Sequence, residues 1–158
     1  MSVSRYTERM SPAHTATIRV RYAETDQMGV VYYANYFVWF EIGRVELMRA
    51  LGFEYRELEE QDQCYLPVVE ANCRYRAPAR YDDVLTLETR VLNQRTSMIR
   101  FGYRLLREKR SGSEEQKTLL LAEGDTVHVV VDRAMQKTVL PERFAAALRS
   151  MSGAHASG

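Results

Sequence analysis

Between Thr15 and Tyr22 the chain alternates, with Ile18, Val20 and Tyr22 set against Thr17, Arg19 and Arg21, which predicts a half-buried strand. A loop follows through Glu24-Thr25-Asp26-Gln27-Met28-Gly29, rich in turn formers. From Asn35 to Leu51 there is no proline. Asn35 is a candidate cap, and Gly52 stands where helices commonly end in a left-handed residue. Phe37, Val38, Trp39, Phe40, Ile42, Val45, Leu47, Met48 and Leu51 point in nearly every direction at 3.6 residues per turn, so the helix should be covered on most sides. A second, polar helix is expected over Glu54 to Gln61.

Beyond it the period changes to two. Val69, Ala71, Cys73 and Tyr75 alternate with Glu70, Asn72, Arg74 and Arg76, and the same alternation recurs over Leu85–Val91 and Ile99–Leu106. The run from Leu119 to Val131 is more apolar, and Gly124 within it marks a bulge or a close backbone approach. Ser111-Gly112-Ser113 reads as a hairpin turn, and Pro141 opens a short helix through about Arg149. One strand, a long apolar helix and four consecutive strands predict an α+β domain over residues 13–150. Its five-stranded antiparallel sheet wraps around the helix. Residues 1–12 and 151–158 have little apolar content and are expected to be flexible tails.

Composition changes this picture little. The chain has 158 residues, enough for one domain with a sizeable core. Its formal net charge of +1 gives no global field toward nucleic acid or a membrane surface. No apolar run approaches the roughly 18 residues of a membrane span or forms a signal-peptide core, so a cytoplasmic protein is expected. Cys64 and Cys73 have no metal-site spacing and read as reduced thiols.

The most specific stretch runs from Tyr22 to Tyr36, with Asp26-Gln-Met-Gly29-Val-Val-Tyr32-Tyr33-Ala-Asn35-Tyr36 at its heart. With Phe40-Glu41, Arg44, Pro78-Ala79-Arg80-Tyr81 and Ala122-Glu123-Gly124-Asp-Thr126-Val-His128-Val129, it resembles the 4-hydroxybenzoyl-CoA thioesterase family, and within it the branch that includes the Tol-Pal-associated acyl-CoA thioesterases. The resemblance spans roughly Thr15 to Val131. It implies a hotdog fold and hydrolysis of an acyl- or aryl-CoA thioester, or of acyl-ACP, without a cofactor or metal. It further implies Asp26 as the catalytic carboxylate and the backbone N–H of Tyr33 as oxyanion donor. Many members carry His where this chain has Tyr33; a backbone donor survives that exchange.

The chemistry stands on its own terms. Water attack on a thioester builds charge on the carbonyl oxygen, and a helix N-terminus supplies unpaired N–H donors and a positive dipole end. A carboxylate on the preceding loop acts from the opposite face, as general base or as nucleophile. Gly29, Asn35, Tyr36 and Arg44 are candidate substrate-binding residues. Tyr36 and Arg44 lie about 80° apart around the helix, though Arg44 equally suits a pair with Glu41. Glu24 is the rival carboxylate, read as a solvated charge or an arginine partner. His128, in an apolar strand, reads as a hydrogen-bonded structural histidine. Met28, Phe37 and Phe40 are candidates for an acyl pocket. Arg74, Arg76, Arg80, Arg90, Arg95 and Arg100 could meet CoA phosphates or form a solvated face. Open sheet edges and the resemblance together imply a homodimer, or a dimer of dimers, joined edge to edge with sites at the interface. The alternatives are a non-catalytic acyl-thioester binder and a hotdog hydratase or dehydratase; the latter needs a histidine that the Tyr22–Tyr36 region lacks.

Overall fold

The computed structural model describes residues 12–108 and 118–151. Strand β1 (His14–Arg19) leads through a short 3-10 turn (Tyr22–Glu24) to helix α1 (Asn35–Ala50) and helix α2 (Tyr55–Glu60). Strands β2 (Val68–Tyr75), β3 (Val84–Arg95), β4 (Met98–Glu108) and β5 (Thr118–Val129) follow, then helix α3 (Glu142–Met151). The five strands form one antiparallel sheet in the order β1-β3-β4-β5-β2, and α1 lies against β1, β3 and β4. This is the expected hotdog arrangement. The expected turn at Ser111-Gly112-Ser113 and nearly all of both expected tails lie outside the described residues; Met151 belongs to α3.

The alternation placed the strands but not their neighbours. β2 pairs with β5 rather than with β3, so the β2–β3 connection crosses from one edge of the sheet to the strand next to the other edge. β1 is shorter than expected. Ile18 and Val20 are buried, but Tyr22 has left the strand and is 77% exposed. Gly124 marks a close approach rather than a bulge. A Cβ there would stand 2.3 Å from the Asn72 carbonyl oxygen, and the β4–β5 register shift falls instead between Leu105 and Leu106.

Helix α1 differs from expectation in a way that matters for the site. Its buried face is a single stripe of Tyr36, Trp39, Phe40, Gly43, Arg44, Leu47 and Met48, spaced three and four apart. Val38 and Ile42, on the opposite side, are exposed, so one face of this apolar helix is uncovered within a single chain. Phe40 lies fully buried, stacked on Tyr103 with ring centroids 4.3 Å apart. Burying side chains such as Trp39, Phe40 and Leu47 contributes about 1.5–3 kcal/mol each. The helix ends as its sequence indicates. Gly52 takes φ +87°, and N–H groups of Gly52 and Phe53 close back on the carbonyls of Arg49 and Met48. No helix among the described residues is long and apolar enough to cross a membrane.

Candidate active site

The loop before α1 is a tight reversal held by its own backbone. The Asp26 N–H donates to the Val30 carbonyl at 2.9 Å, and the Gly29 N–H returns to the Asp26 carbonyl at 3.0 Å. Gly29 has φ +76°, a left-handed conformation that a side chain would strain, so its role is to shape this turn. The Met28 N–H donates to Asp26 Oδ1 at 2.8 Å. That contact orients the half-buried carboxylate, and Oδ2 carries no hydrogen bond among the described residues.

Glu24 fastens this loop to the helix; of the two readings it is the arginine partner and not the solvated charge. It is 6% exposed, and both carboxylate oxygens are used. Oε1 accepts from the Arg21 N–H at 2.8 Å and faces the Arg21 guanidinium at 3.4 Å; Oε2 accepts from the Trp39 indole N–H at 2.7 Å. A carboxylate so occupied has no oxygen left for a substrate. Its backbone carbonyl accepts twice more, from the Tyr32 N–H and from Asn35 Nδ2, both at 2.9 Å. Asn35 is therefore not the helix cap. Ala34 holds that position with no side-chain capping bond, and the Asn35 amide is spent tying the helix start to the loop. The tie holds both strap and helix in one body.

At the helix mouth the Asn35 N–H closes a turn on the Tyr32 carbonyl, whereas the N–H groups of Tyr33 and Ala34 reach no backbone carbonyl among the described residues. Such unspent donors, at the positive end of the helix dipole, are suited to a developing oxyanion. The Tyr33 carbonyl accepts from the Tyr75 hydroxyl at 2.9 Å, so edge strand β2 helps fix the peptide next to these donors. Tyr75 was placed by alternation on the strand's inward side, the one signal that it would meet α1. The Tyr33 ring is 60% exposed, beside Tyr32 and Tyr75. Tyr36 is 2% exposed, and its hydroxyl accepts from the Ala79 N–H. It is thus a core support of the mouth rather than a surface a ligand meets within one chain. Met28 is 81% exposed, and the fully buried Phe40 is core rather than lining.

Arg44 does not join this group. It lies nine residues beyond Asn35, about 13–14 Å along the helix axis. There it borders a separate pocket of about 460 Å³ with Glu41, Tyr55, Glu59, Tyr65 and Pro67. The pocket draws on four separated segments, and nothing in the local sequence marks Tyr55 or Tyr65 for it. Arg44 makes no ion pair with Glu41. Its guanidinium donates to the Tyr103 hydroxyl at 3.1 Å, beginning a buried chain. The Tyr103 and Thr126 hydroxyls are 2.7 Å apart, Thr126 Oγ1 and His128 Nε2 2.9 Å, and His128 Nδ1 and the Leu66 carbonyl 2.9 Å.

The direction of this chain follows from its two ends, because guanidinium only donates and a carbonyl only accepts. Burial pushes the His128 ring down to about 4, so it is neutral near pH 7 and Nδ1 carries its proton. Nε2 then accepts from Thr126, which accepts from Tyr103. Burial raises the Tyr103 phenol to about 12, which keeps that proton in place. His128 is the structural residue expected, and with both nitrogens occupied it offers no free base to a hydratase. Among the arginines considered for phosphate, Arg76 pairs with Glu123, Arg90 with Glu88 and Arg100 with Asp125. Among the described residues no group of three or more His, Cys, Asp or Glu has the arrangement of a metal site.

Comparison with known proteins identifies the family and the fold. Residues 20–148 match the model of the thioesterase-like superfamily. The chain is 33% identical over 135 residues to the acyl-CoA thioesterase YbgC of Haemophilus influenzae, covering 85% of this chain and 93% of that protein. It is 42% identical over 88 residues to the putative acyl-CoA thioesterase YneP of Bacillus subtilis, a match to 56% of this chain and 63% of that protein. The hypothetical protein TT1821 of Thermus thermophilus superposes with a TM-score of 0.75 at 36% identity, over 87% of this chain and 98% of that one. The loop-and-helix-mouth site thus sits in a chain that belongs to the thioesterase-like superfamily, with thioester hydrolysis as its chemistry.

Proposed function

We propose that a single domain over residues 13–150 hydrolyses acyl- or aryl-CoA thioesters, using Asp26 opposite the Tyr33 N–H at the mouth of α1. The observation that carries this is a carboxylate with one free oxygen on a loop strapped by Glu24 and Asn35 to a helix start whose first donors are unspent. Asp26 takes a proton from water as the water oxygen bonds to the carbonyl carbon. Charge collects on the carbonyl oxygen at the Tyr33 N–H. The C–S bond then breaks, and the departing thiolate takes the proton from Asp26. Direct attack by Asp26, giving a mixed anhydride that water opens, balances equally well. Single turnover in ¹⁸O-water separates the routes, since only the anhydride route leaves label in Asp26.

The names of the YbgC and YneP relatives favour CoA over acyl carrier protein as the carrier, and the likeness to YbgC supports the Tol-Pal-associated branch. The cytoplasm is the proposed location. Gly29 and Asn35 act by shaping the mouth, Tyr36 by supporting it. The working unit is a homodimer, alone or paired again, joined at the outer edge of β2. Along that strand every residue but Cys73 is exposed, Val68 and Val69 among them. A partner there would also cover the open helix mouth. Thiol release from a panel of short, long and aromatic acyl-CoAs and acyl-ACPs tests the activity; the expected result is cleavage of CoA thioesters, and no release from any of them would sink it. A fully active monomer in sedimentation would remove the shared site.

A further inference from the structure

The pocket at Arg44 holds two polar groups without a well-formed hydrogen bond. Arg44 is 9% exposed, yet its Nε–H has no partner of good geometry, and the buried Tyr55 hydroxyl, close enough to the guanidinium to interact with it, completes no hydrogen bond either. Buried donors are nearly always satisfied, so such a pair facing one cavity marks a place where an acceptor is expected from outside. The walls are the rings of Tyr55 and Tyr65 with Leu66 and Pro67, a surface suited to carbon.

The pocket is also aligned with the helix mouth. Positions 34, 37, 41, 44 and 45 fall on one side of α1, three and four residues apart. Ala34 is at the mouth, half-buried Phe37 forms an apolar path, and Glu41, Arg44 and Val45 border the pocket. Ten residues separate Ala34 from Arg44, about 15 Å along the axis, and side chains leaning toward the helix N-terminus shorten this. A medium-length acyl chain spans that distance.

We propose that the acyl group runs along this stripe and that the pocket selects an uncharged oxygen, hydroxyl or oxo, at its far end, accepting from Arg44 Nε–H and the Tyr55 hydroxyl. This rests on the reading of the α1 mouth as the seat of the thioester carbonyl. Glu41 and Glu59 at the rim, both exposed and neither ion-paired to Arg44, weigh against a carboxylate terminus. As negative charges on the pocket wall they would repel a second anion.

The test uses the full chain and compares kcat/KM for plain, ω-hydroxy and ω-carboxy acyl-CoAs of four, eight, ten and twelve carbons. The ω-hydroxy form should be favoured about five- to ten-fold at a medium length, the worth of one to two neutral hydrogen bonds, and not at four carbons. Tyr55→Phe and Arg44→Lys should each bring that ratio toward one; Tyr55→Phe alone decides the matter if the Arg44 variant does not fold. Hydrolysis with no hydroxyl preference at any length, or a preference untouched by both substitutions, overturns the proposal. A preference for carboxyl over hydroxyl overturns the uncharged terminus. Cleavage of none of the series would instead bring down the hydrolase reading beneath it.

Discussion

The two ends of the stripe on α1 are built to opposite rules. At the mouth, Asp26 is half-exposed with one oxygen held and the other free, backbone donors are unspent, and Tyr22, Met28 and Tyr33 face outward. At the deep end, Arg44, Tyr103, Thr126, His128 and the Leu66 carbonyl form one directed chain, closed to solvent along most of its length. On the proposed reading, the difference separates the part that supplies rate from the part that supplies stability. Groups left open at the mouth contribute little to holding the fold and are available to a substrate. Tyr103, Thr126 and His128, locked within the deep chain, have no donor or acceptor to spare, and removing one orphans its neighbour.

The largest effect that would sharpen this contrast is Asp26→Asn. It should lower kcat about 10²–10⁴-fold with the thermal midpoint nearly unchanged, because Asn Oδ1 can still accept from the Met28 N–H. Steady-state kinetics beside a melting curve checks both halves. The deep end should show itself in pH rather than rate. His128 is held neutral by burial, with its folded value near 4 below the ordinary 6.5, so the unfolded chain binds the extra proton first. Its contribution is full above about pH 6.5 and is lost as pH falls toward 4, on the order of 3 kcal/mol. Denaturant melts from pH 7 to pH 4 should show this slope, and His128→Gln should flatten it. The smallest effect tests the boundary of the comparison. Glu24→Gln lies at the mouth, only two residues before Asp26, yet should behave like the deep end, costing about 1–3 kcal/mol through the Arg21 and Trp39 bonds. A rate loss with full stability would erase the distinction.

The sequence made the mouth legible because its parts are contiguous. Asp26, Gly29 and Tyr33 lie within eight residues, and the turn chemistry of Gly29 and the helix start are local properties. The strands were legible from period two, and the end of α1 from Gly52. What could not be read was whatever depends on distant partners. Nothing local says that Glu24 finds Trp39, that β2 crosses to pair with β5, or that Tyr55, Tyr65 and Met135 gather around Arg44. Asn35 shows the same limit at short range. Its residue type suits a cap, but the helix starts one residue earlier, with Ala34 at the cap position, and Asn35 Nδ2 donates to the Glu24 carbonyl.

The central claim is that a thioester carbonyl sits on the free N–H groups of the α1 mouth. Asp26→Asn, which should bind substrate without turning it over, allows this to be seen. The carbonyl stretch of a ¹³C-labelled acyl-CoA bound to that variant, measured by isotope-edited infrared difference spectroscopy, should move to lower frequency than in water as the mouth donors polarise it. A bound carbonyl with the frequency it has in free solution would contradict the account.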